Sequence, residues 1–293
     1  MLKVKNLTKH FGSKVAVDNI DLTIKRGQLI AFLGHNGAGK STTINMLTGL
    51  LKPDAGSISL EGHQPAENQY THYLGVVFQD SVLDKQLTVA KNLSIASKLY
   101  KDCNKQFCED LMQKFEINAI KNQKYDSLSG GQRRRVDIVR SLLSQPELLF
   151  LDEPSTGLDI QTRKKIWEVL DQLRQEYGLT IILTTHYLEE ANQADWVYVM
   201  DKGKIVASDT VDNLKAKYAK NSLTLFFKDE SLAQSIPLND NDQMSGKKVI
   251  VKITSYQEAM QMISRYQNDI YDFEYVHGTM DDIFIELTGK EIK

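Results

Sequence analysis

The stretch from Gly34 to Thr42, which reads GHNGAGKST, limits the possible folds of this chain more than any other. It matches the pattern G-x-x-x-x-G-K-[ST], in which Lys40 and Ser41 follow the second glycine. An apolar run at 29–33 precedes it, and apolar residues with helical spacing follow it. A glycine-rich turn between a strand and a helix aims backbone N–H groups and the positive end of the helix dipole at an anion. The sequence therefore predicts a binding site for a nucleoside triphosphate.

Two side chains of this loop have specific expected roles. Lys40 should reach the β- and γ-phosphates, and the hydroxyl of Ser41 should hold Mg²⁺. The other residues that we expect to bind the nucleotide shape the loop and supply its N–H groups; they are Gly34, Asn36, Gly37, Ala38, Gly39 and Thr42.

Charge and hydropathy argue against two classes of protein. The 293 residues carry 36 Lys and Arg against 38 Asp and Glu, a net charge of −2, so no overall basic field favours nucleic acid as a partner. No apolar run approaches the ~18 residues that a membrane helix needs, so a role at a membrane would require a partner.

The charge is distributed unevenly along the chain. Residues 221–293 carry 7 Lys and Arg against 12 Asp and Glu, net −5, which leaves 29 against 26, net +3, for the rest. The pattern of predicted elements also changes past Tyr218, where a small α+β arrangement begins. We therefore predict one large domain over residues 1–218 and a small accessory domain over residues 219–293.

Two acidic residues stand at the end of an apolar strand predicted at 148–152. A carboxylate in that position is costly unless it is paired or faces a metal, so Asp152 is expected to hold Mg²⁺ together with Ser41. Glu153, the next residue, would then lie beside the γ-phosphate and polarise the attacking water.

Two further polar residues follow predicted strands. Gln79 can bond both Mg²⁺ and the attacking water, and it lies where a helical segment at about 87–145 is inserted into the α/β core. His186 can bond the γ-phosphate and orient Glu153. A lone glutamine or histidine is not specific for catalysis, so a role in hydrolysis for either depends on the context of the whole chain.

A second candidate anion site lies at Ser129, Gly130, Gly131 and Gln132, which open a predicted helix whose free N–H groups can face a phosphate. One phosphate cannot occupy two helix N-termini of the same chain that the inserted helical segment separates. The three arginines at 133–135 are too few for a nucleic-acid patch and are expected on a solvated or partner-facing surface of the helix.

With Leu128 before it, this second site resembles the signature of ATP-binding cassette (ABC) ATPases. Residues 1–218 contain seven of that family's motifs in the family's order. They are an aromatic loop at Phe11, the Walker A loop at Gly34–Thr42, the Q-loop at Gln79, the signature at Leu128–Gln132, the Walker B strand at Leu148–Asp152 with Glu153, the D-loop at Ser155–Asp159 and the switch at His186. The family more often has Tyr where this chain has Phe11, and the phenyl ring keeps the ability to stack on adenine.

The resemblance implies an α/β P-loop NTPase fold with a mixed sheet core, an antiparallel β subdomain and an inserted α-helical subdomain, followed by a small C-terminal α+β appendage. It implies an ATPase that uses ATP and Mg²⁺, in which Gln79 and His186 take part in hydrolysis together with Glu153. The signature would complete the ATP site of a second cassette subunit in a head-to-tail dimer, and the intact motifs favour a homodimer. A separate integral membrane permease would hold the pair at the cytoplasmic face of the cell membrane.

Two segments indicate which subfamily of ABC ATPases the chain resembles. Leu83–Leu93 and Met280–Gly289 are similar to the corresponding parts of ABC-2-type exporters of drugs or antibiotic peptides. The alternatives are a soluble ABC ATPase of DNA repair or translation, and a nucleotide-gated sensor whose membrane partner transports nothing. A P-loop kinase would not explain the signature or the paired Asp152 and Glu153.

The appendage at 221–293 shows no catalytic pattern. We expect it to regulate or stabilise pairing between subunits. The apolar residues of its last helix, Ile283, Phe284 and Leu287, are the expected contact stripe.

Overall fold

The computed structural model describes residues 1–100, 104–239 and 242–289. The chain divides into two compact units, one comprising Met1–Ser208 and the other beginning at Asp209. The sequence-based boundary after Tyr218 falls at the end of a helix, α7 (Val211–Tyr218), that belongs to the second unit. This helix groups there because it packs against the last helix of the chain, α10 (Met280–Thr288). The accessory role of residues 219–293 stays a prediction.

The first unit begins with an antiparallel sheet of three strands in the order β2-β1-β4, formed by β1 (Leu2–Phe11), β2 (Lys14–Ile24) and β4 (Ala55–Leu60). The sequence pattern predicts a break after Leu7, but β1 continues to Phe11 through register shifts in its pairing with β2. As a result, Phe11 pairs with Lys14 at the tip of this hairpin.

The core of the first unit is a six-stranded sheet in the order β5-β6-β7-β3-β8-β9. Its central strands are parallel and almost fully buried, as expected of strands covered on both faces. The strands are β3 (Leu29–Leu33), β5 (Leu74–Val77), β6 (Leu148–Asp152), β7 (Thr180–Thr185), β8 (Trp196–Asp201) and β9 (Lys204–Asp209). The carboxyl ends of parallel strands share one edge of a sheet, which is where ligands bind in open α/β folds.

Helices of the first unit flank this sheet and form the inserted helical layer. They are α1 (Lys40–Leu47), α2 (Val89–Ser97), α3 (Lys105–Lys114), α4 (Gly130–Leu142), α5 (Ile160–Tyr177) and α6 (Leu188–Ala191), with 3₁₀ turns at Tyr70–Tyr73, Ile117–Ala119 and Tyr125–Ser127.

The first part of the helical segment predicted at about 87–145 forms two helices, α2 and α3, each with its own N-cap. Residues 101–103 of that stretch lie outside the described residues. Helix α4 contacts both α2 and β5, so it joins the helical layer to the edge of the sheet. No helix in the described part of the chain is both long enough and apolar enough to cross a bilayer.

The second unit contains an antiparallel sheet of four strands in the order β11-β12-β10-β13. Its elements, besides α7 and α10, are β10 (Asn221–Phe227), α8 (Glu230–Gln234), β11 (Gln243–Ser245), β12 (Lys248–Ile253), α9 (Tyr256–Tyr266) and β13 (Ile270–Val276). The expected contact stripe on α10 is wrong in part: Ile283 and Phe284 are fully buried, because this helix packs against α7.

Candidate functional site

The P-loop joins the end of β3 to the start of α1, as its sequence pattern predicts. A cavity of about 260 Å³ lies above it, at the carboxyl edge of the parallel sheet. The cavity is lined by Phe11, Lys14, Ala16, Asn36, Gly37, Gly39, Lys40, Ser41, Thr42 and Glu153. It therefore brings together the loop, the aromatic residue at the tip of the β1–β2 hairpin and one of the two acidic residues.

Lys40 lies inside the curl of the loop. Its Nζ donates hydrogen bonds to the carbonyl oxygens of Gly34 at 2.5 Å and His35 at 3.1 Å. Burial lowers the pKa of Lys40, because the charged form loses hydration, while the nearby carboxylates of Glu153 and Asp152 oppose this shift. The Lys40 ammonium is therefore surrounded by hydrogen-bond acceptors and lies where it can bind the negative charge of a phosphate.

Two loop residues in the predicted binding set do not line the cavity. Gly34 is buried and contributes its carbonyl to Lys40, and the N–H of Ala38 donates to the carbonyl of His35 at 3.1 Å. Their role is to shape the loop. Gly39 has a φ of 108°, and an added Cβ would lie 2.6 Å from the carbonyl oxygen of Ala16, so only glycine fits there.

Phe11 presents an exposed ring at the rim of this cavity, with 52% of its surface accessible. The sequence singled out Phe11 but missed its neighbours Lys14 and Ala16, which line the same rim. The two-residue turn between β1 and β2 is the signal that places Lys14 opposite Phe11.

Asp152 ends β6 beside the P-loop, and its Oδ1 is the meeting point of two hydroxyls. Thr184 donates to it at 2.5 Å and Ser41 at 3.4 Å. Hydroxyl and carboxylate oxygens are the hard ligands that Mg²⁺ prefers, and Mg²⁺ commonly takes only one or two from the protein and the rest from phosphate and water. The residues present therefore fit this ion. Among the described residues no cluster of three His, Cys, Asp or Glu offers another metal site.

Glu153 has a left-handed backbone, with φ of 45°, which is uncommon outside glycine. Its N–H lies 3.0 Å from the hydroxyl and 3.2 Å from the carbonyl oxygen of Thr184. This turn directs the side chain into the cavity, where Oε2 accepts from the Thr156 hydroxyl at 3.2 Å.

His186 follows β7 and approaches Glu153, as the sequence predicts. Its Nδ1 lies 3.4 Å from Oε1 of Glu153, but the geometry is not that of a hydrogen bond, and this nitrogen is buried without a hydrogen-bond partner among the described residues. The ring of Tyr187 lies against the His186 imidazole, with ring centroids 4.2 Å apart. The imidazole is therefore placed next to the carboxylate, with its Nδ1 lacking a hydrogen-bond partner among the described residues.

Gln79 follows β5 and is exposed. It lines a second cavity of about 430 Å³, together with Glu153 and Gly130, and is absent from the lining of the P-loop cavity. The structure thus brings Gln79 near the acidic turn and not directly to the residues predicted to hold Mg²⁺. Its predicted contacts with Mg²⁺ and water stay predictions.

The signature residues open α4 as expected, but their polar groups are partly committed to the helix start. Ser129 is the N-cap: its hydroxyl accepts from the N–H of Gln132 at 3.3 Å, and its own N–H donates to Gln132 Oε1 at 2.9 Å. A Cβ added to Gly131 would lie 2.6 Å from Thr162 Cγ2, so the helix packs closely on the start of α5. None of these residues lines the P-loop cavity of its own chain.

The expectation for the three arginines after the signature is wrong for one of them. Arg134 is only 7% exposed, whereas a solvated or partner-facing surface was expected for the whole run. Its guanidinium reaches the backbone of the β6 end. Thr184 was also missed, since a threonine in a buried strand carries no sequence signal of contact with the acidic pair.

Comparison with known proteins agrees with this geometry. A family model described as ABC transporter matches residues 17–156. The chain is 32% identical to the daunorubicin resistance ATP-binding protein DrrA3 of Streptomyces coeruleorubidus, over 99% of this chain and 96% of that protein. It is 33% identical to the Nod factor export ATP-binding protein I of Cupriavidus metallidurans, over 100% and 99% of the two chains.

Solved structures lead to the same family. An ATP-binding subunit of an ABC transporter superposes with a TM-score of 0.68 at 28% identity, covering 73% of this chain and 92% of that one. The dimeric post-hydrolysis state of the cassette MJ0796, bound to ADP and Pi, gives a TM-score of 0.66 at 28% identity, covering 72% and 99%. The α/β P-loop fold predicted from the sequence is confirmed. The chain belongs to the ABC transporter family, in which it is an ATP-binding and ATP-hydrolysing subunit.

Proposed function

We propose that this chain binds ATP with Mg²⁺ at the P-loop cavity and hydrolyses it in a head-to-tail dimer with a second copy of itself. The observation that carries the proposal is the convergence of the P-loop, Asp152 and Glu153 on one edge of the sheet, while the signature at the start of α4 lies off that cavity. Each half of a composite site is present, and no signature residue lines the P-loop cavity of its own chain.

The nucleotide would be bound by three features of the cavity. Phe11 stacks its exposed ring on adenine. The N–H groups of the loop, with the N-terminus of α1, surround the phosphates. Lys40, already surrounded by the loop carbonyls, balances the charge of the β- and γ-phosphates.

Ser41 and Asp152 would hold the Mg²⁺, and Gln79 would approach it from the second cavity. When bound, this ion neutralises charge that develops on the β- and γ-phosphate oxygens. Thr184 fixes the Asp152 carboxylate by its hydrogen bond to Oδ1.

Glu153 would act on the attacking water. Its carboxylate accepts a proton from that water as the water's oxygen attacks the γ-phosphorus and the bond to the β–γ bridging oxygen breaks. The Nδ1 of His186, 3.4 Å from Oε1 of Glu153, would keep the carboxylate oriented, and the other ring nitrogen, Nε2, would bond the γ-phosphate.

The signature would serve the opposite subunit. The start of α4, from Ser129 to Gly131, approaches the γ-phosphate bound by the partner copy, so both copies are needed for hydrolysis. A solved relative of this fold forms a dimer in its post-hydrolysis state, which supports this arrangement. The intact motifs of this chain favour two competent sites in a homodimer.

Export through a separate membrane permease is the function that the relatives favour. The named relatives are a daunorubicin resistance and a Nod factor export protein, and this chain matches each of them over nearly its whole length. We infer that the dimer lies at the cytoplasmic face of the membrane and drives export of a drug-like or antimicrobial peptide substrate. Soluble ABC ATPases and transport-free sensors receive no support from these relatives.

Affinity purification of the tagged chain from detergent-solubilised membranes of its source organism tests the partner. We expect an integral membrane protein in stoichiometric amount, with an ATPase rate that rises when the two are reconstituted in liposomes. Recovery of the chain without a membrane protein, or an ATPase that ignores the copurified one, would contradict the transport proposal.

A further inference from the structure

Arg134 is a buried cation beside the turn at 152–154, which is called the catalytic turn below. It lies in α4, close to the signature, and only 7% of the residue is exposed. Its guanidinium donates to three backbone carbonyls: Nε to Pro154 at 2.9 Å, Nη1 to Phe78 at 2.6 Å and Nη2 to Asp152 at 2.8 Å.

These three carbonyls belong to residues that are adjacent in sequence to Glu153 and Gln79. Asp152 and Pro154 flank Glu153, so Arg134 binds the backbone on both sides of the residue that would polarise water. Phe78 directly precedes Gln79, so the same guanidinium also fixes the start of the Q-loop. The planar fork of an arginine suits this task, because its N–H donors point in several fixed directions.

The backbone held in this way is strained. Glu153 has a φ of 45°, and a non-glycine residue in the left-handed region persists only where its surroundings hold it there. The hydrogen bonds from Arg134 on one side, and from Glu153 N–H to Thr184 on the other, provide such surroundings.

The charge of Arg134 is kept although it is costly. Burial lowers the pKa of Arg134, and the nearby Asp137 and Asp152 carboxylates oppose that shift. Asp137 is itself buried and accepts from the hydroxyls of Ser81 at 2.6 Å and Tyr125 at 2.9 Å. A buried charge is tolerated when it is hydrogen-bonded and has a charge of opposite sign nearby, as it is here.

Arg134 and Asp137 lie on the same helix, α4, and their hydrogen bonds reach different segments. Ser81 belongs to the Q-loop, Tyr125 precedes the signature, and Arg134 follows it on α4. Helix α4 is therefore joined to the helical layer through Asp137 and to the end of β6 through Arg134.

We propose that Arg134 is a positioning residue for ATP hydrolysis: it fixes the backbone on both sides of Glu153 and before Gln79 from the signature helix. This inference rests on the proposed role of Glu153 as the residue that polarises water. Arg134 acts through these backbone groups and does not line the nucleotide cavity.

The first test is Arg134→Lys in the full-length chain. A lysine keeps the charge, but its single ammonium cannot serve three carbonyls in different directions. We expect kcat to fall by about 10- to 100-fold, as small displacements of a catalytic group do, while the KM for ATP changes by less than about twofold. Equal loss in kcat and in ATP affinity would overturn the inference.

Arg135→Lys is the matched control. Arg135 lies one residue further on the same helix and donates Nη1 to the Phe115 carbonyl at 3.0 Å and to Glu116 at 2.6 Å, away from the catalytic turn. Its kcat should stay within about twofold of the unmodified chain, since a half-exposed ion pair contributes little. A loss as large as that of Arg134→Lys would point to general disruption of α4.

A double-mutant cycle separates positioning from a merely structural role. Single-turnover hydrolysis of radiolabelled ATP is measured for Arg134→Lys, Glu153→Gln and the double variant. If Arg134 acts through Glu153, adding Arg134→Lys to Glu153→Gln lowers the residual rate by less than about twofold, because effects of residues that act as a unit are not additive. The same 10- to 100-fold loss in both backgrounds overturns the inference and leaves the role of Glu153 intact. Near-normal hydrolysis by Glu153→Gln overturns both.

Folding is checked by circular dichroism and thermal unfolding. Should Arg134→Lys fail to fold, Arg134→Gln replaces it in the cycle, because a neutral amide avoids a buried ammonium with too few acceptors. Cooperative unfolding with normal ATP binding and the same non-additivity supports the proposal, and additive losses for this variant overturn it.

Discussion

The hydroxyl of Thr184 donates to Asp152 Oδ1 at 2.5 Å and lies 3.0 Å from the N–H of Glu153. Asp152 lies on β6 and Thr184 on β7. These strands are neighbours, and the two residues pair with each other in the parallel ladder. One side chain from β7 therefore fixes both acidic residues at the end of β6, the predicted metal ligand and the residue predicted to polarise water.

Thr184→Val tests this relationship, since valine has the same shape and lacks the hydroxyl. We expect kcat to fall about tenfold, because the carboxylate and the N–H each lose a hydrogen bond that is worth about 1–2 kcal/mol, only part of which reaches the transition state. Steady-state ATPase kinetics and isothermal titration with ATP measure the effect, and ATP affinity should change little. Thr184→Ser keeps the hydroxyl and should retain most of the rate; a Ser variant as slow as the Val variant would contradict the role of the hydroxyl.

Glu153→Gln should keep ATP binding and lose turnover, because the amide retains the shape of the side chain but cannot accept the proton of the water. Asp152 and Ser41 are untouched, so the variant should accumulate as an ATP-bound dimer, which light scattering detects as a doubling of mass. Near-normal hydrolysis would show that another group activates the water.

Ser129→Arg should block hydrolysis while single-chain ATP affinity stays nearly unchanged, because the signature would face the partner's nucleotide. Ser129 also caps α4, and loss of such a cap costs about 1 kcal/mol, so Ser129→Ala is the matched control. The Ala variant should unfold at a slightly lower temperature and keep much of its activity. Nucleotide titration of dilute protein, with ATPase rates measured against protein concentration, distinguishes the two variants. Equal loss of ATP binding by the dilute Arg variant would mean that the signature acts within its own chain.

The nucleotide site could be predicted from the sequence because its parts are local. A P-loop needs only a strand, nine consecutive residues and a helix. An acidic pair at the end of an apolar strand indicates a functional site, because burying carboxylates is costly. The edge where these parts meet then follows from the parallel sheet. Phe11 could be placed by the resemblance, but the length of β1 could not, since the register shifts that extend it depend on pairing with β2.

Arg134 and the last helix are two features that sequence patterns could not place. A run of three arginines looks uniformly polar, and which one turns inward depends on where α4 packs against β5. The apolar stripe on α10 was expected to contact another subunit, but this helix packs against α7 of the same unit, and Ile283 and Phe284 are buried. In both cases the decisive partner is distant in sequence, so periodicity alone could not choose between solvent, another subunit and the chain itself.

The role of the second unit is tested by truncation. The structure indicates a truncation site at Asp209 instead of the sequence-based boundary at Tyr218. A chain ending at Asp209, the last residue of β9, keeps only the first residue of the second unit, whereas a chain ending at Tyr218 retains α7 without α10. Val211 and Leu214 are buried on α7. The chain ending at Tyr218 would therefore expose apolar surface and should be more prone to aggregate than the chain ending at Asp209.

We expect the chain ending at Asp209 to bind ATP as the full chain does, because every residue that lines the P-loop cavity lies before it. Dimer formation, or stimulation by the membrane partner, should weaken if the second unit stabilises pairing. Its net charge of −5 over 221–293 against +3 for the rest allows attraction to a cassette surface, which at physiological salt acts only within about 8 Å. Dimerisation measured at low and high salt checks this, and a difference between truncated and full-length protein should shrink as salt rises. Loss of ATP binding by a folded chain ending at Asp209 would contradict the prediction, because it would place part of the nucleotide site in the second unit.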